Sequence, residues 1–210
     1  MLPTREEWRD ALILRHGKER QEKFAAAVVA VCGLGGLGSN IAVFLARAGI
    51  GKLLLFDFDK VDLTNLQRQQ YKFSQIGEYK TDAIAANLRE IAPYTEFETK
   101  NIRLTEENIT PLLKDADIIC EAFDSPESKA ELVNAVLSEM PEKYLVAASG
   151  MAGIGDANDI VTRKVSSKFY LCGDGKSDSR AGLPLFSSRV ALCAAHQAHI
   201  VLQILSGENN

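Results

Sequence analysis

VVAVCGLGGLGSNIAVFLARAGIGKLLLFDFD, residues Val28–Asp59, decides the fold. A short apolar, β-branched run, Val28–Cys32, leads into Gly33-Leu34-Gly35-Gly36-Leu37-Gly38. An amphipathic segment, Ser39–Ala48, follows, and a second apolar run, Lys52–Phe56, ends in Asp57. This pattern predicts strand, glycine turn, helix, strand. Gly33 and Gly35 let the backbone turn tightly and approach a phosphate, and Gly38 lets helix and strand pack closely. The helix then offers free N–H groups and the positive end of its dipole to an anion. Asp57 follows Gly38 by 57 − 38 = 19 residues, at the end of the second strand, where it can accept hydrogen bonds from ribose hydroxyls. In this context the turn is read as a nucleotide site rather than a purely structural one.

Working outward, residues 5–24 read as a helix or helix pair, with Trp8, Leu12 and Phe24 as the apolar stripe and Arg5, Arg9, Arg15 and Arg20 on the basic face. Downstream of Asp57, a polar stretch from Asp59 to Gln69 leaves the carboxyl end of the second strand, the edge at which open α/β sheets bind ligands. Thr81–Ile91 is a predicted helix stopped by Pro93. Thr95–Lys100, Ala116–Cys120 and Tyr144–Ala148 read as strands, and Thr105–Leu113 and Pro126–Met140 as helices. To about residue 150 the order is β-α-β-α-β-α-β-α-β. A Rossmann-like α/β fold follows, a mostly parallel sheet with helices on both faces. Beyond Gly150 the pattern changes to two short strands, Ile160–Val165 and Lys168–Cys172, expected to form a small antiparallel C-terminal extension. Gly173–Leu185 reads as a mobile loop and Ser187–Leu205 as a final helix.

Composition bounds the function. The 210 residues are 46% hydrophobic and 25% charged, ordinary for a globular protein, and suffice for one sizeable core. The net charge of −4 gives no basic field for nucleic acid, so none is expected as partner. No apolar run is long enough to cross a membrane, and the first 24 residues are too charged for a signal peptide. A cytoplasmic location with reduced cysteines is therefore expected. Cys32, Cys120, Cys172 and Cys193 form no CxxC pair, so no structural zinc is expected.

Gly33-Leu34-Gly35-Gly36-Leu37-Gly38, Asp57-Phe58-Asp59, Asn65-Leu66-Gln67-Arg68-Gln69, Lys80 and Ala122-Phe123-Asp124 together resemble the ThiF/MoeB family, relatives of the ubiquitin-activating enzymes. The resemblance runs from about residue 9 to about 205. It implies one adenylating domain over 1–210, with a nucleotide-binding core at about 25–150 and an extension with the final helix at about 151–210. The Cys-Gly-Asp-Gly loop and the Ala-Ala-His-Gln-Ala helix are similar to the short bacterial ThiF-like branch. That branch adenylates the C-terminal glycine of a ubiquitin-like sulfur carrier, ThiS-like, in thiamine thiazole synthesis. By the resemblance, Gly33, Gly35, Gly36 and Gly38 cradle ATP and Asp57 holds its ribose. Arg68 and Lys80 bind phosphates, Asn65 orients them, and Asp124 binds Mg²⁺. Asp59 is a further candidate for nucleotide or metal. The partner implied is a small Gly-Gly-ending carrier. A homodimer is also implied, in which Arg9, with Arg15 as runner-up, reaches the neighbouring ATP.

Several readings stay open. Cys172 is the candidate for sulfur or thioester chemistry, on the expectation that it lies in the flexible loop; Cys32, Cys120 and Cys193 are expected in the core. His196 and His199 lie three apart on the final helix and read as helix packing or a subunit contact before a metal pair. Adenylation of a peptide C-terminus or a tRNA-linked carboxylate is an alternative. A NAD(P)-dependent oxidoreductase shares the glycine turn and Asp57 but leaves Asn65-Leu66-Gln67-Arg68-Gln69 without a purpose.

Overall fold

The structure, a computed structural model, describes residues 3–178 and 181–208. Two helices lead, α1 (Arg5–His16) and α2 (Lys18–Ala26), divided at Gly17, whose φ of 83° suits only glycine well. Then come β1 (Val28–Cys32), α3 (Gly36–Arg47), β2 (Lys52–Asp57), α4 (Lys80–Ile91), β3 (Glu96–Asn101), α5 (Glu106–Leu113), β4 (Ile118–Glu121), α6 (Pro126–Glu139) and β5 (Tyr144–Ala148). The chain closes with β6 (Val161–Lys164), β7 (Phe169–Gly173) and α7 (Ser187–Ser206). The alternation expected to residue 150 is the one observed.

All seven strands join one sheet in the order β3-β2-β1-β4-β5-β7-β6. Every pairing is parallel except β6 with β7. The antiparallel pair is therefore continuous with the main sheet, because β7 lies parallel to β5. Side-chain alternation along the inner strands feeds two cores. Val29, Val31, Leu53 and Leu55 face the core shared with α3, α4 and α7. Ala30, Cys32, Leu54 and Phe56 face the core shared with α5 and α6. Apolar burial on both faces is why these strands read as near-continuous hydrophobic runs.

Most boundaries shift by a residue or two, and three of the differences bear on the cavity. The first is α3, which begins at Gly36 rather than Ser39, so that Gly36 and Gly38 lie in its first turn. Helical geometry there brings the position of a Cβ on Gly38 to 1.8 Å from the Gly33 carbonyl oxygen, an approach only glycine permits. The second is β4, which runs to Glu121, leaving a carboxylate at its buried end. The third is the segment expected to be a mobile loop from Gly173. Gly173 belongs to β7, and Asp174 is buried and hydrogen-bonded. Ser179 and Arg180, within that segment, lie outside the described residues.

Gly38→Ala should lower stability by about 1–3 kcal/mol or more, the cost of forcing atoms into a filled contact. Urea unfolding measures it, and an unchanged midpoint would contradict the close approach of α3 to Gly33.

Candidate active site

The carboxyl ends of β1, β2, β4 and β5 open onto a cavity of about 790 Å³ at the point where the strand order reverses, between β1 and β4. This is where an open α/β sheet offers its crevice. Gly33, Gly35, Gly36, Asp57, Asp59, Asn65, Arg68, Lys80 and Asp124 all line it. Gly38 supports the turn from beneath, by its approach to Gly33.

Asp57 does more than face the cavity. It is 7% exposed, and its Oδ2 accepts the Leu34 N–H at 2.6 Å while Oδ1 accepts the Asp59 N–H at 2.8 Å. The carboxylate thus ties the glycine turn to the end of β2. Burial pushes its pKa up, with the Lys80 ammonium pulling it back. Tyr71, buried beside it, donates its hydroxyl to the Leu34 carbonyl at 2.7 Å, so both peptides flanking Leu34 are held.

Lys80 opens α4 and is 6% exposed. Its Nζ lies 2.8 Å from Asp59 Oδ2 and 4.0 Å from Asp57 Oδ2. The closer partner is the half-exposed Asp59, so the ammonium is held at the cavity wall between a buried and a solvated acid. Arg68 donates from Nη1 to the Thr64 carbonyl at 3.1 Å, and its aliphatic stem passes beside Gly36. Asn65 shapes the turn that carries Arg68, its Oδ1 accepting the Asp62 N–H at 3.0 Å. Asp124 is exposed at the cavity, just before Ser125 caps α6.

Asn40, Gln69, Glu121 and Lys129 had no role assigned from the sequence, although Gln69 stands in the quoted motif. Asn40 donates to the Gly36 carbonyl at 2.7 Å and the Arg68 carbonyl at 3.2 Å, joining the two motifs. Gln69 lines the cavity, is 7% exposed, and its Oε1 has no hydrogen-bond partner among the described residues. Glu121 is fully buried and meets Lys129 Nζ with both oxygens at 2.8 Å. Burial pushes its pKa up, and the Lys129 charge opposes that. Glu121 Oε1 also accepts the Phe123 N–H at 2.8 Å, which sets the turn carrying Asp124. A carboxylate ending an apolar strand, with a lysine eight residues on, was the available signal.

Cys172 is a correction. It lies on β7, not in a flexible loop, and is fully buried. Burial pushes its thiol up to about 11, so at neutral pH it is a protonated thiol outside the cavity walls. Cys32, Cys120 and Cys193 are buried as expected. His196 Nδ1 pairs with the Thr162 hydroxyl at 2.9 Å, a packing role. The described residues hold no group of three His, Cys, Asp or Glu side chains suited to a metal ion. Arg9 and Arg15 are exposed on α1, outside the cavity walls.

The model of the ThiF family matches residues 9–210. Molybdopterin-synthase adenylyltransferase of Haemophilus influenzae is 37% identical over 113 residues, 53% of this chain and 46% of that protein. The adenylyltransferase and sulfurtransferase of Anopheles gambiae is 34% identical over 144 residues, 68% of this chain and 32% of that protein. The ubiquitin-like modifier-activating enzyme 5 of Xenopus laevis is 47% identical over 87 residues, 41% of this chain and 22% of that protein. The aligned part thus spans less than half of each relative. Among solved structures, the E. coli tRNA N6-threonylcarbamoyladenosine dehydratase in complex with ATP has the same fold. Its TM-score is 0.87 at 21% identity, over 99% of this chain and 98% of that one.

Lys80→Met tests the charge balance. Because burial raises the folded pKa of Asp57, its ionisation costs stability as pH climbs from its unfolded value near 4 through the folded one. Without Lys80 that cost grows. The stability gap between wild type and Lys80→Met, from urea unfolding, should widen from pH 4 to pH 7; a gap independent of pH would remove the coupling.

Proposed function

The chain belongs to the ThiF family, and from that premise we propose that it is an ATP-dependent adenylyltransferase. Its acceptor, in this reading, is the C-terminal glycine carboxylate of a small Gly-Gly-ending ubiquitin-like sulfur carrier, ThiS-like, in thiamine thiazole synthesis. One observation carries the adenylation reading: a single cavity gathers the glycine turn, Asp57, Asn65, Arg68, Lys80 and Asp124 from five separate segments.

In the proposed reaction a carrier carboxylate oxygen attacks the α-phosphorus of ATP. A carboxylate–phosphorus bond forms, the bond to the bridging oxygen of the β-phosphate breaks, and pyrophosphate leaves with the electron pair. No proton need move, so the task is positioning and charge stabilisation. The base would lie against Phe58, Ile102 and Arg103 at the β2–β3 end of the cavity. Asp57 would accept from the ribose, with the phosphates over Gly35–Gly36 near Arg68 and Lys80. The opposite end, walled by Ser149–Ala152 and Gly175–Asp178, is left for the acceptor.

Asp124 fits a Mg²⁺ that arrives on the nucleotide. Such an ion takes one or two protein carboxylates and completes its shell with phosphate oxygens and waters, so a lone exposed carboxylate suits it. When bound, Mg²⁺ supplies charge neutralisation on the departing pyrophosphate. A second reading, activation of a tRNA-linked carboxylate, draws on the near end-to-end likeness to the E. coli dehydratase. The net charge of −4 counts against it. A nicotinamide oxidoreductase leaves Asn65-Leu66-Gln67-Arg68-Gln69 without a purpose.

ATP–pyrophosphate exchange, dependent on a Gly-Gly-ending carrier, tests the reading. Arg68→Ala should lower exchange by about 10²-fold or more in a folded protein, the scale of a lost transition-state donor. Near-normal exchange would take Arg68 out of the site.

Assembly is part of the proposal. Arg9 is exposed on α1, and we propose it as the arginine that would reach the ATP of a dimer partner, its planar fork suited to two phosphate oxygens. Arg9→Ala and Asp124→Ala should each be nearly inactive alone. Equal mixing with subunit exchange makes half the dimers mixed, each with one intact site of two, so activity should recover to about a quarter of wild type. No recovery, with exchange of subunits verified, would place Arg9 outside the neighbouring site.

A further inference from the structure

Asp174 and Arg189 form an ion pair of 2.9 Å in which the side chains are 6% and 7% exposed. Asp174 lies in the Cys-Gly-Asp-Gly stretch that resembles the short bacterial branch, where it was given no role, and Arg189 belongs to none of the quoted motifs. A buried pair of this kind is weak evidence for stability, because desolvating both charges offsets much of their attraction. Its geometry therefore matters more than its presence, and the geometry is specific to one wall of the cavity.

Asp174 Oδ1 accepts the N–H groups of Lys176 and Ser177, both at 2.8 Å. Oδ2 accepts the Ser177 hydroxyl at 2.8 Å beside Arg189 Nη2. The Ser177 oxygen in turn accepts the Ala152 N–H at 2.9 Å. Backbone bonds finish the seam: Asp174 N–H to the Gly150 carbonyl and Gly175 N–H to the Ser149 carbonyl, each 2.9 Å. From the far side, Arg189 Nη1 donates to the carbonyls of Gly155 and Asp156 at 2.8 and 2.7 Å. The two wall segments are therefore locked to each other and to the start of α7. Burial opposes the Asp174 charge, yet the donors from Ser177, Lys176 and Arg189 hold its carboxyl well below the usual range.

The lock also reaches the glycine turn. Val190, next to Arg189, packs so closely on Gly36 that a Cβ there would lie 2.9 Å from its Cγ1. One rigid start of α7 thus touches the nucleotide end and anchors the acceptor end. We propose that Asp174 and Arg189 are positioning residues for the acceptor, holding Ser149–Ala152 and Gly175–Ser177 as the wall along which a carboxylate-ended chain lies. The proposal rests on the adenylation reading. It assigns these residues no contact with ATP, which separates them from Arg68 and Lys80. Such positioning matters because displacement of a reacting group by about 1 Å can cost about 10²-fold in rate.

The test uses the full chain with Asp174→Asn and, as the milder variant, Ser177→Ala, which removes only the hydroxyl between Asp174 and Ala152. ATP affinity is read by calorimetry, and acceptor KM by pyrophosphate exchange with a synthetic peptide ending in Gly-Gly. Both variants should bind ATP within twofold of wild type while the KM for the peptide rises tenfold or more. Equal losses for ATP and peptide, or no change in either, would overturn the proposal. If wild type binds ATP but turns over no such peptide, the acceptor class is at fault, and amide hydrogen exchange decides the wall. In Ser177→Ala, amides of residues 150–152 and 175–177 should then exchange at least tenfold faster, with those of Gly33–Gly38 unchanged. Unchanged protection of the wall, or loosening spread equally to the glycine turn, would overturn it.

Discussion

The hydrogen bond from the Leu34 N–H to the Asp57 carboxylate, 2.6 Å long, is the constraint on which the cavity depends. It fastens the glycine turn to the neighbouring strand end, so the start of α3 cannot drift from β2. The bond requires an ionised or at least accepting carboxylate in a place where burial disfavours charge. Lys80 answers that requirement, and Asp59 holds Lys80 in place. A residue expected to serve the nucleotide therefore also builds the platform. Its substitution would confound binding with architecture, whereas Arg68, carried on its own turn, can be removed more cleanly.

The rest of the molecule supports this platform from two sides. Below the sheet, α5 and α6 close one apolar core; above it, α3, α4 and α7 close the other. α7 has an unusual share of the polar work. Gln197 is fully buried and donates to the carbonyls of Glu121 and Val146 at 2.9 and 3.3 Å, and Arg189 reaches the loops after β5 and β7. Glu121 then sets the Phe123 N–H and, through it, the turn before Asp124. Buried polar groups paired in this way fix geometry more than they add stability.

Much of this was legible in the sequence because period and punctuation are local signals. Val28–Cys32, the glycines and Lys52–Asp57 announce strand, turn and strand through side-chain alternation and backbone freedom that need no distant partner. Arg68, Lys80 and Asp124 were legible through motif company. What was missed depends on contacts between segments far apart in the chain. Glu121 stood just past the expected strand Ala116–Cys120, and only Lys129 and Gln197, from other segments, enclose it. Asp174 looked like a residue of a polar, glycine-rich loop, and only the arrival of Arg189 from α7 makes it buried. Cys172 was misplaced for the same reason: as the last residue of the expected strand it was credited to the loop that follows, whereas β7 runs on to Gly173 and its pairing with β5 seals the thiol.

The charge layout bears on how a highly anionic nucleotide could enter and how its product could leave. Without ligand, Lys80 is compensated by Asp57 and Asp59, so the site carries no bare buried ammonium. On the proposed adenylating reading, an arriving triphosphate would add to these acids, and the excess negative charge would fall to Arg68, to a cation at Asp124 and to an arginine of a dimer partner. Arg68 is half-buried and Asp124 exposed, where water screens them and a contact can be released. On that reading the buried acids keep the shape of the site, while Lys80 and the charges at the rim would answer the phosphates. Such a division is what a site needs if it is to bind strongly enough to react and still let pyrophosphate go.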